Sequence, residues 1–226
     1  MELAGSAGPH VFVESLDTPL VSELDLHHLT VVLRLREGDQ LTVSDGDGGW
    51  RTCVFGVNGA LEPTGPPVHI AASTHSVTVA FSLVKGQKPE LAVQKLTELG
   101  IEQIVVLTAE RSVVRWDEDK IETQRERWSR IIREAAMQSH RVRLPQLSMV
   151  IPAVDWLAQP EVMAAQFGGG PITARTQSVA VGPEGGWAPA ELAAAGTRTV
   201  SLGPTVLRAE TAAIAAATLL CAPSLQ

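Results

Sequence analysis

The chain has 226 residues, of which 45% are hydrophobic and 19% charged. That make-up suits a globular protein able to bury a core in one large domain or two modest ones. Its longest apolar run, Ala212–Ala222, falls short of the roughly 20 residues a membrane span needs. The opening stretch MELAGSAGPHVFV has no basic segment ahead of an apolar one, so a cytoplasmic protein without a secretory signal is expected. Cys53 and Cys221 lie too far apart for a metal motif or a disulfide framework and read as reduced thiols.

The net charge of −7 is unevenly spread. Residues 1–84 carry 3 Lys/Arg against 10 Asp/Glu, residues 85–143 carry 12 against 10, and residues 144–226 carry 3 against 5. A basic face for nucleic acid is therefore open to the middle of the chain, although a solvated, salt-bridged helix explains the same charges.

In chain order, the first 70 or so residues read as β-rich. Ser22–Leu35 reads as a helix turning into a strand. Gln40–Val57 reads as a hairpin, because the Asp-Gly-Asp-Gly-Gly between its two alternating runs tolerates positive φ. LEPTGPPVHIA adds a further short β candidate. The small, polar stretch Ala71–Ser76 marks the boundary, with domains at 1–73 and 74–226. Beyond it, strands alternate with helices: a strand at Val77–Val84, then a helix with Pro89 in its first turn and Gly100 as its stop. A strand at Ile101–Leu107 follows. The next helix carries Trp128, Ile131, Ile132 and Ala135 on one face and Arg125, Arg127, Arg130 and Arg133 on the other. Short strands in EVMAAQF, SVAV and RTVSL, and helices in APAELAAAG and RAETAAIAAATLLCA, complete a parallel α/β pattern. In such sheets ligands bind beyond the carboxyl ends of the strands.

Two strands end in Gly-Pro loops, VGPEGGW and LGPTVLRAETAA. Neither has the lysine of a P-loop, no dinucleotide fingerprint is present, and no metal spacing or nucleophile elbow appears. The six histidines have no partner in the sequence. What the loops offer is bare backbone. Gly182, Gly185 and Gly186 let peptide groups approach a flat ligand, Pro183 and Pro204 hold the loop, and Leu202 and Leu207 can sandwich a purine ring.

These two segments resemble the C-terminal motifs of the ribosomal small-subunit methyltransferase E family, which methylates N3 of a uridine in 16S ribosomal RNA. HLTVVLRLREGDQLTVSDGDG is similar to that family's His-x-x-x-Val-Leu-Arg-x-x-x-Gly-Asp stretch, and KGQKPELAVQKLTELGIEQI to its Lys…Glu-Leu-Gly segment. ERSVVRW and EAAMQSHRVRLPQL match two further blocks, so the resemblance runs along nearly the whole chain. Two departures stand out. Met137 occupies a position where many members have an acid, and it carries no role here. The stretch from Ser148 to Gln177, which should hold a first cofactor loop, looks short.

The resemblance implies a SPOUT-type α/β domain with a deep trefoil knot, preceded by a small PUA-like β-barrel that binds RNA. It also implies a homodimer that uses S-adenosyl-L-methionine, with 16S rRNA or the small ribosomal subunit as partner and no metal. The cofactor-binding residues it implies are Phe167 and Gly168 of the first loop, and Gly182, Pro183, Glu184, Gly185 and Gly186 of the second. Leu202, Gly203, Leu207, Arg208, Thr211 and Ala212 come from the third. Arg208 is the candidate for stabilising charge on the uracil oxygens, and Glu184 and Glu210 for general base or donor orientation. Arg34, Lys85, Lys88, Arg111, Arg115, Arg141 and Arg143 are the RNA-binding candidates. Two other readings stay open at this level: a SPOUT enzyme with another target such as a transfer-RNA ribose 2′-hydroxyl, and a non-catalytic RNA-binding assembly factor.

Overall fold

The computed structural model describes residues 8–222 apart from His75 and Gln87, and it leaves out the side chain of Lys88. The chain divides into two compact units. One holds residues 1–73 and 133–144, the other residues 74–132 and 145–226.

The first unit is built on a five-stranded sheet. Strand β1 (His10–Phe12) pairs in parallel with β2 (Gln40–Ser44), which forms the expected hairpin with β3 (Gly49–Phe55). Strands β4 (Leu61–Pro63) and β5 (Val68–His69) both pair with β3. Alternation places Leu41, Val43, Cys53 and Phe55 inward, where they meet Val11, Leu29 and Leu61 in a buried cluster. Burial raises the Cys53 thiol pKa, against the pull of Arg51. Met137 packs against the same cluster, so an acid there would meet apolar side chains.

Ser22–Leu35 does not turn into a strand. Ser22 caps helix α1 (Glu23–His27) by accepting from the Asp25 N–H, and the backbone then widens into a π-helical turn at His28–Val32. The β-branched residues that suggested a strand, Val31 and Val32, stand exposed on that turn.

His10 is the most unusual group of this unit. Its ring is buried, bonded through Nδ1 to the Thr42 hydroxyl at 2.8 Å and through Nε2 to the Ser44 hydroxyl at 3.0 Å. Burial first, then the charges of His140 and Arg133, lower its pKa to about 4, against a backbone hydrogen bond at Arg141 that raises it.

The second unit is a six-stranded parallel sheet in the order β11-β9-β10-β6-β7-β8. Strands β6 (Thr78–Ser82), β7 (Gln103–Thr108) and β8 (Gln146–Pro152) run outward from the centre. Strand β9 (Val162–Gly170) starts the other half, β10 (Ser178–Val181) inserts between β9 and β6, and β11 (Thr199–Val200) takes the far edge. Between them run α2 (Lys88–Glu98), α3 (Glu118–Gln138), α4 (Ala153–Leu157) and α5 (Pro189–Ala195). Gly100, at φ +94°, ends α2 as expected. Trp128 of α3 is buried and packs against the rings of Phe81 and Trp116.

Strand β8 and helix α4 have no counterpart in the sequence expectation. Two residues of β8, Met149 and Val150, stand opposite Val106 alone, and Val150 has φ +58°, rare for a β-branched residue. That bulge breaks the alternation a strand would show in sequence. The last helix, α6 (Ala209–Cys221), packs on α2, β6 and β10. Its buried face is Ala212, Ala213, Ala216, Ala217 and Leu220, and the small side chains let it lie close to its neighbours.

Candidate active site

Both Gly-Pro loops leave the carboxyl ends of strands in the left half of the parallel sheet. Gly182-Pro183 follows β10, and Gly203-Pro204 follows β11 after two residues. The strand between β11 and β10 is β9, whose ladder with β11 jumps from Ala164 to Gly170 across a single step of the partner. Residues 165–169 depart from that ladder, and Phe167 is left 65% exposed. Gly169 is the close contact there: a Cβ on it would lie 2.7 Å from the Val200 backbone.

A cleft of about 250 Å³ opens between these segments. This is just below the ~300–1,000 Å³ of typical small-molecule sites. β9 contributes Ala165, Gln166 and Phe167 to it. The first Gly-Pro loop contributes Gly182, Pro183, Glu184, Gly186 and Trp187, and the second contributes Ser201 to Gly203 and Thr205 to Leu207. Val181 at the end of β10 and Ala209 and Ala212 of α6 complete the lining. A larger hollow of about 680 Å³ lies in the first unit against Phe12, Val13 and Arg133. There the Arg133 guanidinium is engaged by Asp25 at 2.7 Å and by the Phe12 carbonyl at 2.9 Å.

The glycines of the cleft serve different ends. Gly186, at φ +69°, and Gly203, at φ +153°, sit in backbone conformations that side chains disfavour, with open space where a Cβ would be. At Gly182 the reason is contact, because a Cβ would come within 3.0 Å of the Trp187 indole. That indole is buried and donates through Nε1 to the Ala165 carbonyl at 3.1 Å, joining the first Gly-Pro loop to β9. The Gly186 N–H closes a turn onto the Pro183 carbonyl at 2.8 Å.

The sequence candidates separate accordingly. Phe167, Gly182, Pro183, Glu184, Gly186, Leu202, Gly203, Leu207 and Ala212 come together on the lining, whereas Gly168, Gly185, Arg208, Glu210 and Thr211 are not part of it. Gly185 turns toward Arg111, whose Cβ would lie 3.4 Å from a Cβ at 185. Arg208 is exposed at the N-cap of α6, next to the lining residues Leu207 and Ala209, and Glu210 stands in the first turn of that helix. Sequence reasoning missed Ala165, Gln166, Ser201, Thr205, Val206, Ala209 and Trp187. The tryptophan was legible, as the residue that closes VGPEGGW; the small residues carried no signal of their own.

Among the cationic candidates, Arg34 (φ +57°) and Lys85 are exposed. Lys88 opens α2, with a side chain outside the described residues. Arg141 is half-buried. Arg143 pairs with Asp47 at 2.5 Å and donates to the Ile70 carbonyl at 3.0 Å. Arg115 donates to the Glu110 carbonyl of its own loop at 3.3 Å. On α3, Arg125 pairs with Glu122 and Arg127 with Glu90, so much of its basic face is the salt-bridged one.

The model of the RNA methyltransferase domain matches residues 72–221, and that of the RNA methyltransferase PUA domain matches residues 25–56. The ribosomal RNA small subunit methyltransferase E of Mycobacterium bovis is 34% identical, over 91% of this chain and 88% of its own. The protein of that name in Bacillus subtilis is 31% identical, over 88% of each chain. This chain belongs to the ribosomal RNA small subunit methyltransferase E family. Among solved structures, a methyltransferase from Legionella pneumophila in complex with bound SAM superposes with a TM-score of 0.82 at 26% identity, covering 96% of this chain and 98% of that one. The family member from Neisseria gonorrhoeae, bound to S-adenosyl methionine, gives 0.75 at 25% identity over 92% and 94%. The residues of the cleft between the two Gly-Pro loops suit a small, flat ligand: Gly186 and Gly203 keep side chains out, and Leu202 and Leu207 supply apolar walls.

Proposed function

We propose that this protein methylates N3 of a uridine in 16S ribosomal RNA, holding S-adenosyl-L-methionine in the cleft between the two Gly-Pro loops. The observation that carries the reading is the cleft itself, placed at the carboxyl edge of a parallel sheet and walled by the segments that also carry the family's motifs. Bound there, the donor supplies an electrophilic methyl group. Leu202 and Leu207 would hold its adenine, with the backbone of Gly182, Pro183, Gly186 and Gly203 and the Phe167 side chain as the other walls. Holding donor and base in line supplies much of the acceleration. Arg208, beside the cleft, stabilises the negative charge that spreads over the uracil oxygens as the imide proton leaves. Glu184, on the lining, and Glu210 are the groups that accept that proton or orient the donor.

In this reading residues 1–73 form a PUA-like β-barrel that binds RNA, and residues 74–226 form the SPOUT methyltransferase domain. The family resemblance implies a trefoil knot in this domain, at the end where α6 packs on β10, β6 and α2. The active form is a cytoplasmic homodimer. Arg34, Lys85, Lys88, Arg115 and Arg141 are the candidates for RNA phosphates. The test is nucleoside mass spectrometry of 16S RNA, free and in small subunits, after incubation with the protein and isotopically labelled donor. Labelled 3-methyluridine is the expected product. Label on a ribose, or none on RNA of either form, contradicts the proposal.

A further inference from the structure

We infer that Arg111 and Glu191 form a brace that holds the Gly182–Trp187 wall of the cleft in its donor-binding shape. Arg111 then acts as a positioning residue for the methyl donor, not as a contact for RNA phosphate. The inference rests on the donor-site reading above.

Arg111 lies on the loop after β7. Its Nη1 donates to the Gly185 carbonyl at 3.2 Å and to the Trp187 carbonyl at 3.1 Å, so one guanidinium nitrogen holds two carbonyls of the wall. Hydrogen bonds from a charged donor are about twice as strong as neutral ones. The arginine stem lies beside residue 185, at ordinary contact distance from where a Cβ there would be.

Glu191 works on the same two loops from within. It is only 3% exposed, and both carboxylate oxygens are used. Oε1 accepts from the Glu110 N–H at 2.8 Å and Oε2 from the Ala188 N–H at 2.7 Å. The carboxylate thus bridges the residue before Arg111 and the residue after Trp187. One side chain satisfies carbonyls of the wall and the other satisfies amides at its foot, so the β7 loop and the wall are clamped by complementary charges. On its other face the wall is tied to β9 through the Trp187 indole.

A wall held this way binds its ligand with an affinity scaled by the fraction of molecules in the competent shape. Arg111→Ala in the RNA-free protein should raise the donor Kd about tenfold by calorimetry, with kcat near wild type once donor saturates. Arg111→Lys, which keeps a cation near both carbonyls, should recover part of that loss. RNA affinity at saturating donor should stay within about twofold, with the salt slope unchanged, whereas a lost phosphate contact would lower that slope by about one. An unchanged donor Kd in Arg111→Ala overturns the brace, as does a slope lowered by one. Thermal unfolding of both variants separates a loosened wall from a damaged fold. Arg111→Ala should melt within a few degrees of wild type, and a Kd rise that merely tracks lost stability and that lysine does not relieve also overturns it. A wild-type protein that binds no donor removes the donor-site reading itself, which sets the two failures apart.

Discussion

Two glycine-rich loops of this protein have similar compositions and opposite consequences. The hairpin loop Asp45–Gly49 is packed over, so that a Cβ on Gly48 or Gly49 would collide with the side chain of Arg143 or Asp45. Asp45 Oδ1 accepts from the N–H groups of Asp47 and Gly49, at 2.7 and 3.0 Å. The N–H of Gly48 goes to the Val142 carbonyl, and the carbonyls of Gly46 and Gly48 accept from Leu144 and Ile70. Arg143 lies over the top, paired with Asp47. In the loop Gly182–Trp187 the Gly186 N–H bonds the Pro183 carbonyl, and further ties run to β9 and to the loop after β7. Glycine in the first case allows a tight turn, and in the second it leaves a cleft open. The glycines of the hairpin are covered by neighbouring side chains, whereas Gly186 and Gly203 face open space.

The contrast can be broken most severely beside the open loops. Arg208→Ala should lower the methyl-transfer rate by 10²–10³-fold, the usual cost of losing one donor to a developing oxyanion. Donor affinity should change by less than about twofold, because Arg208 is not on the lining. Single-turnover kinetics at saturating donor reads this directly, and a rate near wild type removes Arg208 from the chemistry. Next in size is Gly182→Val. Its branched side chain must displace the Trp187 indole, and donor affinity should fall about a hundredfold while the circular dichroism of the fold persists. Calorimetry with unchanged affinity would show that the indole position does not matter to the cleft.

The closed region should respond through stability alone. His10 is neutral in the native state down to a pKa of about 4, while in the unfolded chain it titrates at 6.5. The unfolded state therefore binds the proton first, and stability falls as the pH drops from 6.5 toward 4. The loss reaches roughly 2 kcal/mol by pH 5. Urea unfolding at pH 7 and pH 5 should show this difference, and His10→Gln should remove most of it. Smallest is Asp45→Ala, which deletes an acceptor shared by two amides at an exposed turn and should cost about 1 kcal/mol. Donor affinity should not move. If it does, the two loops are not as separate in function as their bonding implies.

The same contrast explains what was legible in the sequence. The hairpin, α2, the buried face of α3 and the parallel order of strands and helices could be read because periodicity and turn residues are local signals. The π-helical turn at His28–Val32 could not, since its exposed β-branched residues look like a strand. β8 was hidden by the bulge at Val150. At the site, the two Gly-Pro loops and most of their lining were visible as motifs. That Gly185 lies off the lining beside Arg111 could not be read, because the carbonyls Arg111 holds are 74 and 76 residues away along the chain. The direction a glycine faces is set by packing that no local pattern carries.

The central claim is that the cleft between Gly182–Trp187 and Ser201–Leu207 holds the methyl donor. A crystal structure of the protein with S-adenosyl-L-methionine tests it most directly. The account predicts the adenine between Leu202 and Leu207, with the sulfonium methyl group directed toward Arg208. Donor bound outside this cleft, or a cleft that stays empty at saturating donor while methyl transfer proceeds, would contradict it.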